Sequence, residues 1–145
     1  MNPDGRHHPR VLVVDDDPEV CEMLLRQLQR FGYSGLACRG GAQAVEDMKA
    51  DVPDGVILDM IMPGLDGVDT IGRIKSTREL RHVPILVITG SELNRSRSEI
   101  LEGFGIPAIA KPWDIEELID GLEESIMGKQ YLSRRGAAVE GGRET

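Results

Sequence analysis

VLVVDDDPEV, residues 11–20, passes within ten positions from an unbroken aliphatic run to three carboxylates and a proline. An aliphatic run without polar alternation suits a strand covered on both faces, as in a parallel sheet, rather than one with a wet face. Asp17 before Pro18 offers a helix N-cap followed by a first-turn proline. Val20, Leu24, Leu28 and Phe31 then recur at helical spacing, and Gly32 stands where such a helix would stop. The segment reads as buried strand, acidic turn, amphipathic helix.

The same order repeats along the chain. Strands are predicted over residues 11–14, 35–38, 55–58, 84–88 and 106–110, of which the first, third and fourth are nearly continuous in aliphatic residues. Between them, Ala42, Val45 and Met48 mark a second helix, and Val68, Ile71 and Ile74 a third. Leu93, Ile100, Leu101 and Phe104 mark a fourth; Asp114 caps a fifth that carries Ile115, Leu118, Ile119, Leu122 and Ile126 on one stripe. Repeated strand–helix units require right-handed crossovers and a parallel sheet with helices on both faces. The expected architecture is a doubly wound α/β sandwich of five strand–helix units, (βα)5. From Gly128 the apolar period is lost and Gly, Arg and Glu accumulate. The domain is therefore expected over 10–128, between a flexible start at 1–9 and a mobile tail at 129–145.

Bulk properties exclude several functions. The chain has 145 residues, enough for one core, and its net charge of −8 argues against gripping a phosphate backbone. Arg134-Arg135 is too small a basic cluster to change that. The longest apolar run is about five residues, against roughly 20 for a bilayer span. Residues 1–10 lack the apolar segment of a secretory signal. Cys21 and Cys38 form no metal or redox motif, which fits reduced core residues of a cytoplasmic protein.

In a doubly wound fold, ligands bind beyond the carboxyl ends of the strands, near the point where strand order reverses. The first apolar run ends in Asp15-Asp16-Asp17, the third in Asp59, the fourth in Thr89 and the fifth in Lys111. Taken singly, each has a plain role: an acidic helix cap, a turn former, a strand residue, a solvated cation. Taken together, they bring carboxylates, a hydroxyl and an ammonium to one rim. Two carboxylates about 4 Å apart repel by about 4 kcal/mol at an effective dielectric near 20. Lys111 answers part of that repulsion, and a divalent cation answers the rest. Hard oxygen ligands without His or thiolate favour Mg²⁺ or Mn²⁺ over Zn²⁺. A carboxylate nucleophile beside such a cation forms an acyl phosphate, with Lys111 and Thr89 holding the phosphoryl oxygens.

These residues resemble the receiver domain of two-component response regulators over about residues 10–127. The resemblance rests on VLVVDDDPEV at 11–20, LDMIMPGLDG at 58–67, VITG at 87–90 and AKPW at 110–113. It implies a flavodoxin-like sheet with strand order 2-1-3-4-5 in a bacterial phosphorelay protein. Asp59 would be the phosphoacceptor. Mg²⁺ would be held by Asp16, by Asp15 directly or through water, by Asp59 and by the Ile61 backbone carbonyl. Thr89 and Lys111 would bind the phosphoryl group. The donor would be a histidine kinase or histidine phosphotransfer protein. The protein would not be an enzyme beyond its own phosphorylation and dephosphorylation. If the chain is complete, with fewer than twenty residues after the fifth helix, output is expected through protein contacts, or equally the protein is a relay or sink for phosphoryl groups, as a monomer or weak homodimer.

The sequence departs from the family pattern in places. Receivers usually carry Tyr or Phe three residues before the lysine; here the residue is Ala108, so a ring-flip switch is not expected. Trp113 replaces a common Phe. Ile61 and Ser91 stand where receivers tune phosphoryl loss, and an apolar Ile61 cannot orient an attacking water. Leu93, Phe104, Ala108 and Trp113 are the candidate partner surface. Two other readings compete: a receiver-like module that binds without phosphorylation, and a haloacid dehalogenase-type phosphohydrolase with Asp15 as nucleophile. The first typically lacks an acid or the lysine, and this chain keeps them. The second leaves Asp59 without a role and finds Glu116-Glu117 inside a helix turn instead of after a strand.

Overall fold

The computed structural model describes residues 8–62, 64–90 and 93–141, with 129–141 described as backbone alone. Its elements alternate without exception: β1 (Arg10–Val14), α1 (Pro18–Arg30), β2 (Ser34–Cys38), α2 (Gly41–Ala50), β3 (Gly55–Asp59), α3 (Gly67–Ser76), β4 (Ile85–Thr89), α4 (Arg95–Phe104), β5 (Ala108–Ala110) and α5 (Ile115–Gly141). The five strands are all parallel, in the order β2-β1-β3-β4-β5, as a doubly wound fold requires.

Period-two alternation explains why the central runs are aliphatic throughout. Leu12 and Val14 of β1 face one side, with Val56 and Leu58 of β3, under α2, α3 and α4. Val11, Val13 and Ile57 face the other side, under α1 and α5. Both sides of β1, β3 and β4 are dry, so every position rewards an apolar side chain. Edge strand β2 differs: Leu36 is 66% exposed. Cys21 and Cys38 are free and buried, one in each layer.

Local signals set the helix ends. Asp17 accepts from the Glu19 N–H at 2.9 Å with Pro18 behind it, and Gly32 takes a positive φ of 89° after the helix. Asp66 caps α3 by accepting from the Asp69 N–H at 3.1 Å. Gly67 follows because nothing larger fits: a Cβ there would stand 2.6 Å from Met60 Cα and 2.8 Å from its carbonyl oxygen. Gly67→Ala should therefore cost about 1–3 kcal/mol, read as a lower urea midpoint. An unchanged midpoint would contradict this close approach.

Four expectations need correction. Ala42 is exposed, and Ala44, with Val45 and Met48, carries the buried face of α2. Leu93 precedes α4 instead of lying in it, although it packs against the core. Phe104 ends α4 at 48% exposure, because only Leu101 of that helix is fully buried. The α5 backbone stays helical to Gly141, so the tail expected from residue 129 begins as a continuation of this helix. The readings placed on Pro63 and Ser91 lie outside the described residues.

Candidate functional site

Sheet register assembles the rim. Val14 pairs with Leu58, so Asp15 and Asp59, each one residue further on, leave adjacent strands side by side. Asp59 pairs with Ile88, which places Thr89 next along β4; Thr89 pairs with Ala110, which places Lys111 just beyond β5. The chain runs from β1 outward to β2 and then returns to β3 on the other side of β1. The two acids therefore flank the reversal point, where crossovers diverge and leave a crevice.

Within it, Asp15 and Asp59 are buried, at 1% and 4% exposure, while Asp16 is exposed. Oxygens of the three carboxylates lie within 4.8 Å of one another. Lys111 Nζ stands 3.5 Å from Asp59 Oδ1 and 3.6 Å from Asp15 Oδ2. One ammonium thus faces two buried anions. Asp15 Oδ1 accepts from the Asp17 N–H at 2.9 Å, and Asp59 Oδ1 accepts from the Ile61 N–H at 3.3 Å. The buried Asp15 Oδ2 accepts no hydrogen bond. Thr89 is buried, and its backbone carbonyl accepts from the Lys111 N–H at 2.8 Å, tying the hydroxyl and the ammonium to one local frame.

Burial pushes the Asp59 carboxyl above its ordinary value and Asp15 adds to that; Lys111 and the Ile61 N–H pull it back only in part. Burial likewise raises Asp15, against the Asp17 N–H and Lys111. A carboxyl raised in the folded state stabilises the fold fully below its unfolded value near 3.8, and that contribution is lost as pH rises through the folded value. Asp15→Asn should therefore raise the Tm of the metal-free protein at neutral pH by roughly 2–8 °C, and the gain should vanish in acid. Scanning calorimetry at several pH values checks the sign; a lower Tm at neutral pH would contradict it.

The donor set fits a hard divalent cation. It holds carboxylates only, in excess of the one cation present, and includes a buried oxygen without a hydrogen bond. Around this centre, Ile61 is 39% exposed beside Asp59. Ala108 is exposed on β5 and pairs with Val87, two residues before Thr89. Trp113 packs on the α1–α5 layer and donates its indole N–H to Gln27 Oε1 at 3.0 Å. Sequence reasoning missed Arg97, whose guanidinium lies 3.9 Å from Asp66 Oδ2 and joins the start of α4 to the cap of α3. No local pattern announces a pairing between distant segments.

Comparison with known proteins agrees with this geometry. The family model described as response regulator receiver domain matches residues 11–123. The chain is 38% identical over 110 residues to response regulator MprA of Mycolicibacterium vanbaalenii, covering 76% of this chain and 47% of that protein. It thus spans about half the length of the curated relatives it matches. Among solved structures, a response regulator from Chloroflexus aurantiacus superposes with a TM-score of 0.76 at 28% identity, over 83% of this chain and 98% of the other. The N-terminal domain of a response regulator receiver protein from Methanoculleus marisnigri superposes with a TM-score of 0.67 at 30% identity, over 80% and 94%.

Proposed function

This chain belongs to the response regulator receiver domain family, and on that premise we propose that Asp59 is its phosphoacceptor, charged by a phosphohistidine donor and read out by protein contacts. The observation that carries this reading is the single ammonium held 3.5 and 3.6 Å from two buried carboxylates on neighbouring strand ends. That charge imbalance is a standing preference for an added divalent cation, whose charge together with Lys111 would offset the dianionic phosphoryl group that transfer places on Asp59.

In the proposed step, an Asp59 carboxylate oxygen attacks phosphorus. The O–P bond forms as the P–N bond to the donor imidazole breaks, and the imidazole keeps the bonding pair and takes a proton. Lys111 turns its charge toward the phosphoryl oxygens, and the buried Thr89 hydroxyl donates to one of them. Asp15, Asp16 and Asp59, with the Ile61 carbonyl, would hold Mg²⁺ or Mn²⁺, which when bound supplies further positive charge to the transferred group. A histidine kinase or a histidine phosphotransfer protein is the proposed donor, and the cytoplasm the proposed setting. No helix among the described residues is long and apolar enough to cross a membrane. Residues 10–128 are the proposed functional unit. Asp15 suits metal binding better than attack, because its Oδ1 accepts from the Asp17 N–H and its Oδ2 faces Lys111, whereas at Asp59 the Ile61 N–H and Lys111 both meet Oδ1. The test is phosphoryl uptake from acetyl phosphate with Mg²⁺; no uptake would overturn the proposal.

Two local features shape the output. An alanine at position 108 has no ring to rotate, so the signal to the surface carrying Leu93, Phe104, Ala108 and Trp113 passes through backbone and loop movement. Ile61 places an apolar side chain beside the acceptor where a polar one would orient water. Ile61→Asn should shorten the phosphoform half-life by about tenfold or more. Decay followed by intact mass checks this, and a wild-type half-life of seconds would contradict it.

A further inference from the structure

Strand β2 ends the sheet on one side: among the described residues it pairs with β1 alone. In that ladder the Ser34 N–H donates to the Pro9 carbonyl at 2.9 Å, and the Cys38 carbonyl accepts from the Asp15 N–H at 3.0 Å. Backbone groups alternate in direction along a strand. Ser34, Leu36 and Cys38 therefore bond inward, while the N–H and C=O of Gly35 and Ala37 face away from the sheet. Natural edges are blunted by charge, proline or shortness. The opposite edge, β5, has three residues; β2 has five, SGLAC, with neither charge nor proline, and both Leu36 and Ala37 are exposed.

A hollow lies on each face of this edge, and both reach Ser34 and Gly35. On the α2 face, a hollow of about 240 Å³ is lined by Leu36, Met48 and Pro53 and by Asp47 and Asp51. Arg10 pairs with Asp51, but Asp47 accepts from the neutral Gln43 amide at 2.8 Å, so the polar side of this hollow keeps an excess of negative charge. On the α1 face, a hollow of about 490 Å³ lies beside Leu25 and Tyr33. Gly35 points to that side, where a Cβ would stand 2.6 Å from Leu25 Cδ2. Side chains of a strand added to β2 would enter the two hollows in turn.

We propose that β2 receives an extended segment of a partner protein as a sixth strand, in which a lysine or arginine alternates with a small aliphatic residue. The partner's main chain bonds to the outward groups of Gly35 and Ala37. Its cationic side chains lay their apolar stems along Leu36 and Met48 and bring their charge to Asp47 and Asp51. Its aliphatic side chains meet Leu25 on the other face. The net charge of −8 also draws a cationic partner at long range. Docking at this edge does not depend on phosphorylation of Asp59.

The probe is a capped peptide, Val-Lys-Val-Lys-Val-Lys-Val, and the readout is amide hydrogen exchange of the full chain followed by NMR. In the free protein the Gly35 and Ala37 amides should exchange at least about tenfold faster than those of Leu36 and Cys38. About 1 mM peptide should slow Gly35 and Ala37 by about threefold or more, and the same peptide with glutamate for lysine should leave them unchanged. Leu36→Lys, at a 66% exposed position, puts a cation on the edge and should abolish the slowing. Its phosphoryl uptake from acetyl phosphate should match wild type, which shows a folded variant and keeps this result separate from the proposal for Asp59. No slowing by the lysine peptide, equal slowing by the glutamate peptide, or full slowing in Leu36→Lys would each overturn the inference. Slow exchange of Gly35 and Ala37 in the free chain would also overturn it: the edge would then be covered by another segment, or by a second copy if the protection grows with chain concentration.

Discussion

Asp59→Asn should take up no phosphoryl group under conditions in which wild type, given acetyl phosphate and Mg²⁺, is expected to gain roughly 80 Da. The loss is expected to be complete, because the amide has no anionic oxygen to attack phosphorus and nothing nearby replaces it. Asp15 has one oxygen committed to the Asp17 N–H and the other facing Lys111. Asp16 is exposed beyond the end of β1. Peptide mapping after borohydride trapping locates the modification. A mass gain that survives Asp59→Asn, or that maps to Asp15, would remove Asp59 from the central role. Such a result would revive an Asp15 nucleophile. The amide also removes one of two mutually repelling buried carboxyls, so the variant should remain folded and its inactivity should be chemical.

Lys111→Ala should slow phosphoryl uptake by about 10²–10³-fold, the usual consequence of deleting one preorganised charge at a transferring group. The same substitution should leave Mg²⁺ affinity unchanged or raise it. Lys111 Nζ lies within 3.6 Å of oxygens of both buried carboxylates, so the ammonium already neutralises charge that a divalent cation would answer. Removing it leaves the carboxylates more anionic and the cation site less contested. Opposite signs in the two measurements, uptake by intact mass and Mg²⁺ binding by calorimetry, separate a role at the phosphoryl group from general disruption. If uptake and metal affinity fell together by similar factors, Lys111 would be holding the site's shape and not acting on the phosphoryl group. With Asp15 and Asp59 both raised by burial, loss of this cation should raise them further and lower the stability of the metal-free protein at neutral pH.

Much of the site is legible in the chain because its information is local. A strand that is dry on both faces must be apolar at every position, so the first polar residue after VLVV, VIL or ILVI marks the rim. Asp15, Asp59 and Thr89 are found that way, and Lys111 by its place after the weaker run of β5. The helix starts at Asp17 and Asp66 follow from capping chemistry, which also acts over a few residues. Two of the errors share one cause. Phe104 and Ala42 fit an apolar period, yet whether such a residue is covered depends on the element packed above it. Helix α4 buries only Leu101 fully, so its last apolar residue is left for contact or solvent.

From the residues alone come five strands, three of them dry on both faces, five helices and a rim of acids, hydroxyl and ammonium, since hydrophobic period and capping are properties of short segments. Register decides the rest. Pairing Val14 with Leu58 and Thr89 with Ala110 turns separate strand ends into neighbours. Only then do two carboxylates become buried together, with one lysine between them and one oxygen without a hydrogen bond. Repulsion and complementarity depend on distance through space, and only the folded sheet sets that distance.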